Sequence, residues 1–376
     1  MERQLTELIT GLLKHGYRVT VISRRCQLSE HPALRWIRVP VPEKPFLLGY
    51  SLFFIVGTLQ VWRHRVGLLH TMGAIVWNHA DLVTVQYCHH GAAPKGGTSW
   101  GAPNVLRRVS SRLSASLSRL AERWIYRPAM VRHFAVVSTG VAREMHRNFP
   151  SIATNMTLIP NAVDQQIFRP DPVARRQVRE AYELSDSDFV VLFVGGDWER
   201  KGLSVAIEAV AALQGCHLVV VGSGNANGLV GRVRSLAAKD RIHFAGPRTQ
   251  TAPYFASADA FLLPTAYEAF PLVVCEAAAS GLPLLVTKVN GVEEILKDGE
   301  NGWFIKRDAR QITLRLAALQ ADKRLRKSMG ARSREKVARY SWSRVGDDYR
   351  SLYRELATGI ADQPLVRDSL AVSLSR

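Results

Sequence analysis

Short runs of β-branched and aliphatic residues alternate along the chain with longer stretches whose apolar positions recur at helical spacing. That rhythm is the pattern of parallel α/β layers. In the first half, residues 5–13 read as a helix stopped at His15-Gly16, and residues 18–23 (RVTVIS) as a strand. Further strands are expected at 67–71, 82–87 and 133–138. A long basic helix, 104–126, separates the last two. Its Leu106, Val109, Leu113, Leu117, Leu120 and Trp124 keep helical spacing, with Arg107, Arg108, Arg112, Arg119 and Arg123 beside them. The second half restarts the rhythm, with strands at 190–194, 217–221, 241–245, 260–263 and 284–287. Helices are expected between them, at 203–213, 229–239, 253–256 and 274–280. Residues 160–172, rich in Pro and Asp, suit a linker. Two doubly wound domains follow, 1–165 and 166–340, with 341–358 a helix packing back on the first and 359–376 a flexible tail. In such sheets ligands sit at the carboxyl ends of the strands, which makes the cleft between the domains the expected site.

One stretch interrupts this picture. Residues 46–62 are almost wholly apolar, but the run sits at the bottom of the length needed to span a bilayer and contains Gly49, Ser51, Gly57, Thr58 and Gln60. A buried helix is expected there. The chain opens on the polar run Met1-Glu2-Arg3-Gln4, without a secretory pattern. Its four cysteines (Cys26, Cys88, Cys216, Cys275) have no paired ligand spacing, which argues against a disulfide framework or a zinc site and suits a reducing compartment. The formal net charge of +18 is uneven: residues 1–165 hold 20 Lys and Arg against 8 Asp and Glu, the remainder 30 against 24. An anionic partner for the first half is expected, either a membrane surface or a nucleic acid.

The most specific segment is 264–281, PTAYEAFPLVVCEAAASG. A strand ends at Leu263, a loop carries Glu268, and a helix beginning near Leu272 carries Glu276. Both carboxylates can point into one crevice, while the helix N-terminus offers N–H groups to an anion. A diphosphate suits that place, with a carboxylate to accept hydrogen bonds from ribose hydroxyls; an ordinary loop with a capping acid gives the same spacing. A second segment, 193–203 (FVGGDWERKGL), follows a strand. Gly195 and Gly196 let backbone approach a ligand, and Lys201 offers a mobile cation, although a glycine turn beside a solvated Lys reads the same way. Val221-Gly222-Ser223-Gly224 lacks the full GxGxxG spacing and is a weak fingerprint. Asp186-Ser187-Asp188 mimics a metal-binding DxD, yet it lies in a polar turn before a strand, where Asp and Ser are expected locally. No divalent metal is expected in catalysis.

Taken together these segments resemble the family-4 glycosyltransferases, retaining enzymes of the GT-B fold with two Rossmann-like domains facing across a cleft. The resemblance covers nearly the whole chain, through LIPNAVDQQIFRP (158–170), residues 241–287 and NGVEEILKDGENGWFI (290–305). It implies that Lys201, with the turn at Gly195 and Gly196, binds the donor diphosphate and that Glu276 holds the ribose hydroxyls. Glu268, with the backbone after it at Phe270 and Leu272, would hold the donor sugar. Asp259 would pack or cap near the base-binding strand. The family places a His after a strand of the first domain, close to the donor sugar; His89 is the candidate, beside His90 after Gln86, with His70 the runner-up and His79 plain surface. Two departures stand out. The family usually carries Arg where Gly196 stands, which leaves Arg200 or the first domain to supply that charge. It often has Gly where Pro271 stands, and proline has no N–H to donate.

The resemblance implies no cofactor beyond a UDP- or GDP-linked sugar donor, and a glycan or lipid-linked acceptor in cell-surface glycan synthesis. The charge of residues 1–165 and the basic amphipathic helix within them predict a cytoplasmic protein, peripheral on the inner face of the cytoplasmic membrane. A non-catalytic sugar-nucleotide binder and a DNA-modifying GT-B enzyme are the alternatives; no nucleic-acid motif accompanies the charge. A domain of this family begins with a strand and a glycine-rich loop, whereas Met1 to Leu5 resembles the residues that follow that loop. The first strand and its glycines are therefore missing from this sequence, and the natural protein is expected to continue upstream. The flanking strands would be left with unpaired backbone groups.

Overall fold

A computed structural model of the chain describes residues 2–42, 45–64, 67–92, 105–224, 229–358 and 370–374. The side chains of Leu106, Arg107, Arg108 and Val109, and residues 359–369 of the tail, lie outside the described residues. The chain divides into two units, 1–161 with 342–376, and 162–341.

Unit 1 opens with α1 (Glu2–Lys14), whose Leu5, Leu8, Ile9 and Leu12 form a buried stripe at helical spacing. There follow β1 (Val19–Ser23), β2 (Leu34–Arg38), α2 (Phe46–Arg63), β3 (Leu69–Thr71), β4 (Ala80–Val85), α3 (His89–Ala92), α4 (Val105–Ile125), β5 (Val131–Val136), α5 (Thr139–Asn148) and β6 (Met156–Leu158). Unit 2 runs through α6 (Pro172–Ala181), β7 (Phe189–Val194), α7 (Trp198–Lys201), α8 (Leu203–Ala211), β8 (Cys216–Val221), α9 (Leu229–Ser235) and β9 (Ile242–Gly246). It closes with α10 (Ala252–Ser257), β10 (Ala260–Leu263), α11 (Leu272–Ala279), β11 (Leu284–Thr287), β12 (Gly302–Ile305), α12 (Ala309–Ala321) and α13 (Lys323–Val337). The chain then returns to unit 1 with α14 (Trp342–Thr358), which packs on α1, and β13 (Leu370–Leu374).

Unit 2 holds a six-stranded parallel sheet in the order β12-β11-β10-β7-β8-β9. Every residue of β7 (FVVLFV) and of β10 (AFLL) is buried, as a parallel sheet covered on both faces requires. From β7 the chain winds outward to β9, then jumps back to β10 on the other side of β7 and winds outward again. The loops after β7 and β10 therefore diverge, and the carboxyl ends of these two neighbouring strands form the topological switch point where α/β sheets bind ligands.

Unit 1 holds a seven-stranded parallel sheet, β2-β1-β13-β3-β4-β5-β6. Here two expectations are corrected. The tail is not flexible throughout, because Leu370–Leu374 is a strand. The strands expected to flank an empty slot are not left unpaired either: β13 lies between β1 and β3, matching Val19 to Leu370 and Leu69 to Ala371. A short apolar run inserted there satisfies the backbone groups on both sides, which is what makes the slot attractive to it. The apolar run 46–62 is also corrected. It is helical, but only Gly49, Phe53, Gly57 and Val61 are buried; periodicity could not distinguish an apolar helix enclosed on all sides from one covered along a single stripe.

Candidate active site

The site in unit 2 is built from the two switch-point loops. After β7 the chain turns sharply at Gly195, whose φ of +147° favours glycine; a Cβ there would come within 2.5 Å of the Lys201 side chain. Gly195 makes room for the lysine stem to fold back along the turn. The turn is fixed from two sides: the Gly195 N–H donates to the Val221 carbonyl at 2.9 Å, and the Trp198 indole N–H donates to the Gly195 carbonyl at 3.0 Å. The segment 221–224 thus supports the turn. The short helix α7 ends at Gly202 (φ +79°), where a Cβ would lie 2.2 Å from the Pro264 carbonyl oxygen, so the loops after β7 and β10 touch backbone to backbone. The Ala266 N–H donates to the Arg200 carbonyl at 2.9 Å, and Arg307 donates from its Nη2 to the Glu199 carbonyl at 2.9 Å.

This framework brings Lys201, Arg200 and Glu268 together. Glu268 Oε1 accepts from Lys201 Nζ at 2.7 Å, Arg200 Nη1 at 3.1 Å and Thr265 Oγ1 at 3.2 Å. Arg200 Nη1 also donates to the Tyr267 carbonyl, and its Nε to Asp197 at 2.8 Å. Burial by itself would raise the Glu268 carboxyl; the neighbouring Lys201 and Arg200 charges, with their hydrogen bonds, hold it below the usual range. Burial likewise works against the Arg200 charge, but Glu268 and Asp197 raise its pKa. The side chains of Lys201, Glu268 and Arg200 are 12%, 14% and 19% exposed. They are shielded from water yet reachable, a state in which an incoming anion exchanges one charge-assisted partner for another.

Pro271 stands at the N-cap of α11, with Phe270 buried before it. The N–H groups of Leu272 and Val273 fall in the first turn, where no intrahelical acceptor precedes them. Glu276 lies one turn further along, half-buried. Gly196 keeps the second position of the turn. Arg200, one of the two sources of charge that the sequence offers in place of an Arg there, lies on the same carboxylate as Lys201.

Several other residues are settled by their partners. Asp259 is a half-buried anchor: its carboxylate accepts from Arg175 at 2.9 Å, Arg179 at 2.7 Å and the Val190 N–H at 2.9 Å. Asp188 serves its own turn, accepting from the Ser185 N–H at 2.6 Å and hydroxyl at 2.9 Å. In unit 1, His89 and His90 start α3 at the end of β4. Both backbone N–H groups donate to the carboxylate of the buried Glu122, at 2.7 and 3.1 Å, and His90 Nδ1 lies 2.7 Å from the same group. The His89 ring meets Tyr87 edge-on, 4.9 Å between centroids. Glu122, unmarked in the sequence, is the residue that shapes this turn. His79 is exposed.

His70, the runner-up, is a core residue. It is fully buried, with Nδ1 2.8 Å from the Tyr353 hydroxyl and Nε2 2.7 Å from Thr84 Oγ1, which in turn lies 2.8 Å from the Tyr349 hydroxyl. Burial pushes its pKa down to about 3. With both ring nitrogens occupied inside the fold, it ties β3 and β4 to α14 and has nothing left for a substrate.

Two family models match the chain, Glycosyltransferase Family 4 over residues 1–167 and Glycosyl transferases group 1 over 174–336. The lipopolysaccharide core biosynthesis glycosyltransferase LpsE of Rhizobium meliloti is 32% identical over 166 residues, covering 43% of this chain and 49% of that protein. The D-inositol 3-phosphate glycosyltransferase of Stackebrandtia nassauensis is 30% identical over 378 residues, covering 91% of this chain and 83% of that protein. Among solved structures, WaaG, a glycosyltransferase involved in lipopolysaccharide biosynthesis, matches with a TM-score of 0.76 at 19% identity over 96% of both chains. Anabaena HepE in complex with UDP and glucose matches with a TM-score of 0.69 at 14% identity, over 94% of this chain and 95% of that one. The chain belongs to the family-4 glycosyltransferases and carries their GT-B fold.

Proposed function

We propose that the protein is a retaining glycosyltransferase that moves a sugar from a UDP- or GDP-linked donor to a glycan or lipid-linked acceptor, without a divalent metal, in cell-surface glycan synthesis. The observation that carries this reading is the pair of cations, Lys201 and Arg200, gathered on one carboxylate, Glu268, at the switch point of unit 2. A donor diphosphate at the first turn of α11 would draw Lys201 from Glu268, leaving that carboxylate to accept from hydroxyls of the donor sugar. Glu276 would accept from the ribose. In this reading the cations stabilise charge on the departing diphosphate, which itself helps deprotonate the acceptor hydroxyl on the same face of the sugar. His89, held by the Glu122 cap, is the residue of unit 1 assigned to the donor sugar. The sugar-nucleotide chemistry of relatives supports the donor class, since HepE is seen with UDP and glucose.

A thermal-shift panel of UDP-, GDP- and ADP-sugars tests the reading. A donor at about 100 times its dissociation constant adds about 2.7 kcal/mol of stability. Stabilisation by one of them with turnover onto an acceptor is expected. Stabilisation without turnover against any acceptor would make the protein a non-catalytic binder, and no response to any nucleotide sugar would remove the donor site.

A further inference from the structure

A tryptophan with no chemistry of its own lies in the turn that carries Lys201. Trp198 opens α7 and Lys201 closes it, so both belong to one short helix. The Trp198 side chain is buried, at 8% exposed, although it stands on a loop beyond the sheet. Such loops usually present small and polar residues to water, and an indole buried there needs a partner for its N–H. That partner is the Gly195 carbonyl, at 3.0 Å. The ring is also wedged in place. Gly224, after β8, comes so close that a Cβ on it would run into the indole. On β9 the Phe244 ring lies 5.7 Å away between centroids. One side chain thus ties the turn after β7 to the segment after β8 and to β9.

The turn needs such a tie. Asp197 has φ +50° and ψ +58°, left-handed backbone that a residue with a Cβ keeps only where its surroundings hold it. Two bonds hold Asp197 itself: its carboxylate accepts from Arg200 Nε at 2.8 Å, and its carbonyl from the Lys201 N–H at 3.0 Å. Neither reaches Gly195, the residue over which the Lys201 stem folds back. The Gly195 N–H is fixed on Val221, and the indole fixes the carbonyl on the other side. If that carbonyl swung free, the stem would lose its bed and the ammonium would drift from Glu268, now 2.7 Å away.

We propose that Trp198 is a positioning residue: through the Gly195 carbonyl it sets the path of the Lys201 stem, and so places the ammonium for a donor diphosphate. The geometry belongs to unit 2 alone, and the consequence for transfer rests on the donor-site reading.

Trp198→Phe in the full chain tests it, because phenylalanine keeps a ring between Gly224 and Phe244 and removes the N–H. The first measurement needs no donor: brief acetylation with acetic anhydride, read lysine by lysine by mass spectrometry. Lys201 should label about fivefold faster than in the wild type, the equivalent of one hydrogen bond, while the exposed Lys14, Lys239 and Lys306 label as before. The second is kcat/KM for the nucleotide sugar. It should fall about fivefold in the wild-type background and no further when Trp198→Phe is added to Lys201→Ala. Gly224→Ala, which presses on the ring without removing its N–H, should raise Lys201 labelling too, and it decides the matter if Trp198→Phe does not fold. Unchanged labelling of Lys201, or a loss of kcat/KM that is the same in both backgrounds, overturns the proposal. A rise at every lysine in both variants makes Trp198 a residue of general stability and overturns it as well. A wild type that responds to no nucleotide sugar, with Lys201 labelling still raised in the variant, would remove the donor site and leave the positioning of Lys201 standing.

Discussion

Each unit contains a cluster of polar side chains shielded from water, and the two clusters do opposite things. In unit 1, His70, Thr84, Tyr349 and Tyr353 form a neutral network inside the fold, each side chain occupied by another. In unit 2, Lys201, Arg200 and Glu268 form a charged network on the loops beyond β7 and β10. The first is closed off within the core, and the second keeps its side chains 12–19% exposed. Position on the sheet and charge also distinguish them: a neutral closed network within the layers stabilises, whereas cations held on a carboxylate at a switch point can be re-partnered by a ligand. A histidine at a strand that seemed suited to a donor sugar is therefore a structural member, and a lysine in a glycine turn is the better functional candidate.

The contrast breaks most visibly at Lys201. Lys201→Ala and Glu276→Ala should each lower kcat/KM with the true donor by about 1.5–3 kcal/mol of transition-state stabilisation, and leave the fold intact. Steady-state kinetics alongside circular dichroism measure both, and wild-type activity in the two variants would end the donor-site assignment. The complementary experiment is His70→Ala, which takes the imidazole from the Tyr353 hydroxyl and leaves the Thr84 hydroxyl only its bond with Tyr349. Urea unfolding should show a loss of about 1–3 kcal/mol, with nucleotide affinity unchanged; a variant as stable as the wild type but weakened in donor binding would make His70 a donor-site residue after all.

A pH series sharpens the difference. His70 has a folded pKa near 3, far below the value of about 6.5 for an unfolded histidine. Its contribution is fully present above pH 6.5 and is lost as pH falls towards 3, at no more than about 1.4 kcal/mol per unit. Glu268, also depressed, adds its own loss only below the ordinary carboxyl range. Between pH 7 and 5 the urea midpoint of the wild type should therefore fall more steeply than that of His70→Gln, and parallel curves would show that His70 is not held neutral. The smallest expected effect is that of excess EDTA on transfer, which should be nil. Activity lost to EDTA and restored by magnesium or manganese would return Asp186 and Asp188 to consideration as ligands.

Much of this was legible in the residues. The strand runs 190–194 and 260–263 place Lys201 and Glu268 on loops after strands, and the order of strands and helices gives the doubly wound class. What escaped has physical reasons. The ring of His70 looks polar in GLLH, but its burial depends on Thr84 and Tyr353, which are 14 and 283 positions away. Arg307 resembles any solvated arginine until the Glu199 carbonyl it grips is in place. The exposed stripe of α2 is apolar like the buried one, so composition could not separate them. β13 is five residues in a polar tail, and its pairing is wholly long-range.

That last strand bears on how the chain is made. Unit 2 occupies one uninterrupted stretch, 162–341, whereas unit 1 needs α14 and β13, which are synthesised after it. On the ribosome the later domain can close first, and the earlier one waits, with the gap between β1 and β3 open, until residue 374 has emerged from the exit tunnel. An arrested nascent chain that stops short of residue 370 should then be cut by protease within residues 1–161 and resist within 162–341, so that the order of folding runs against the order of translation.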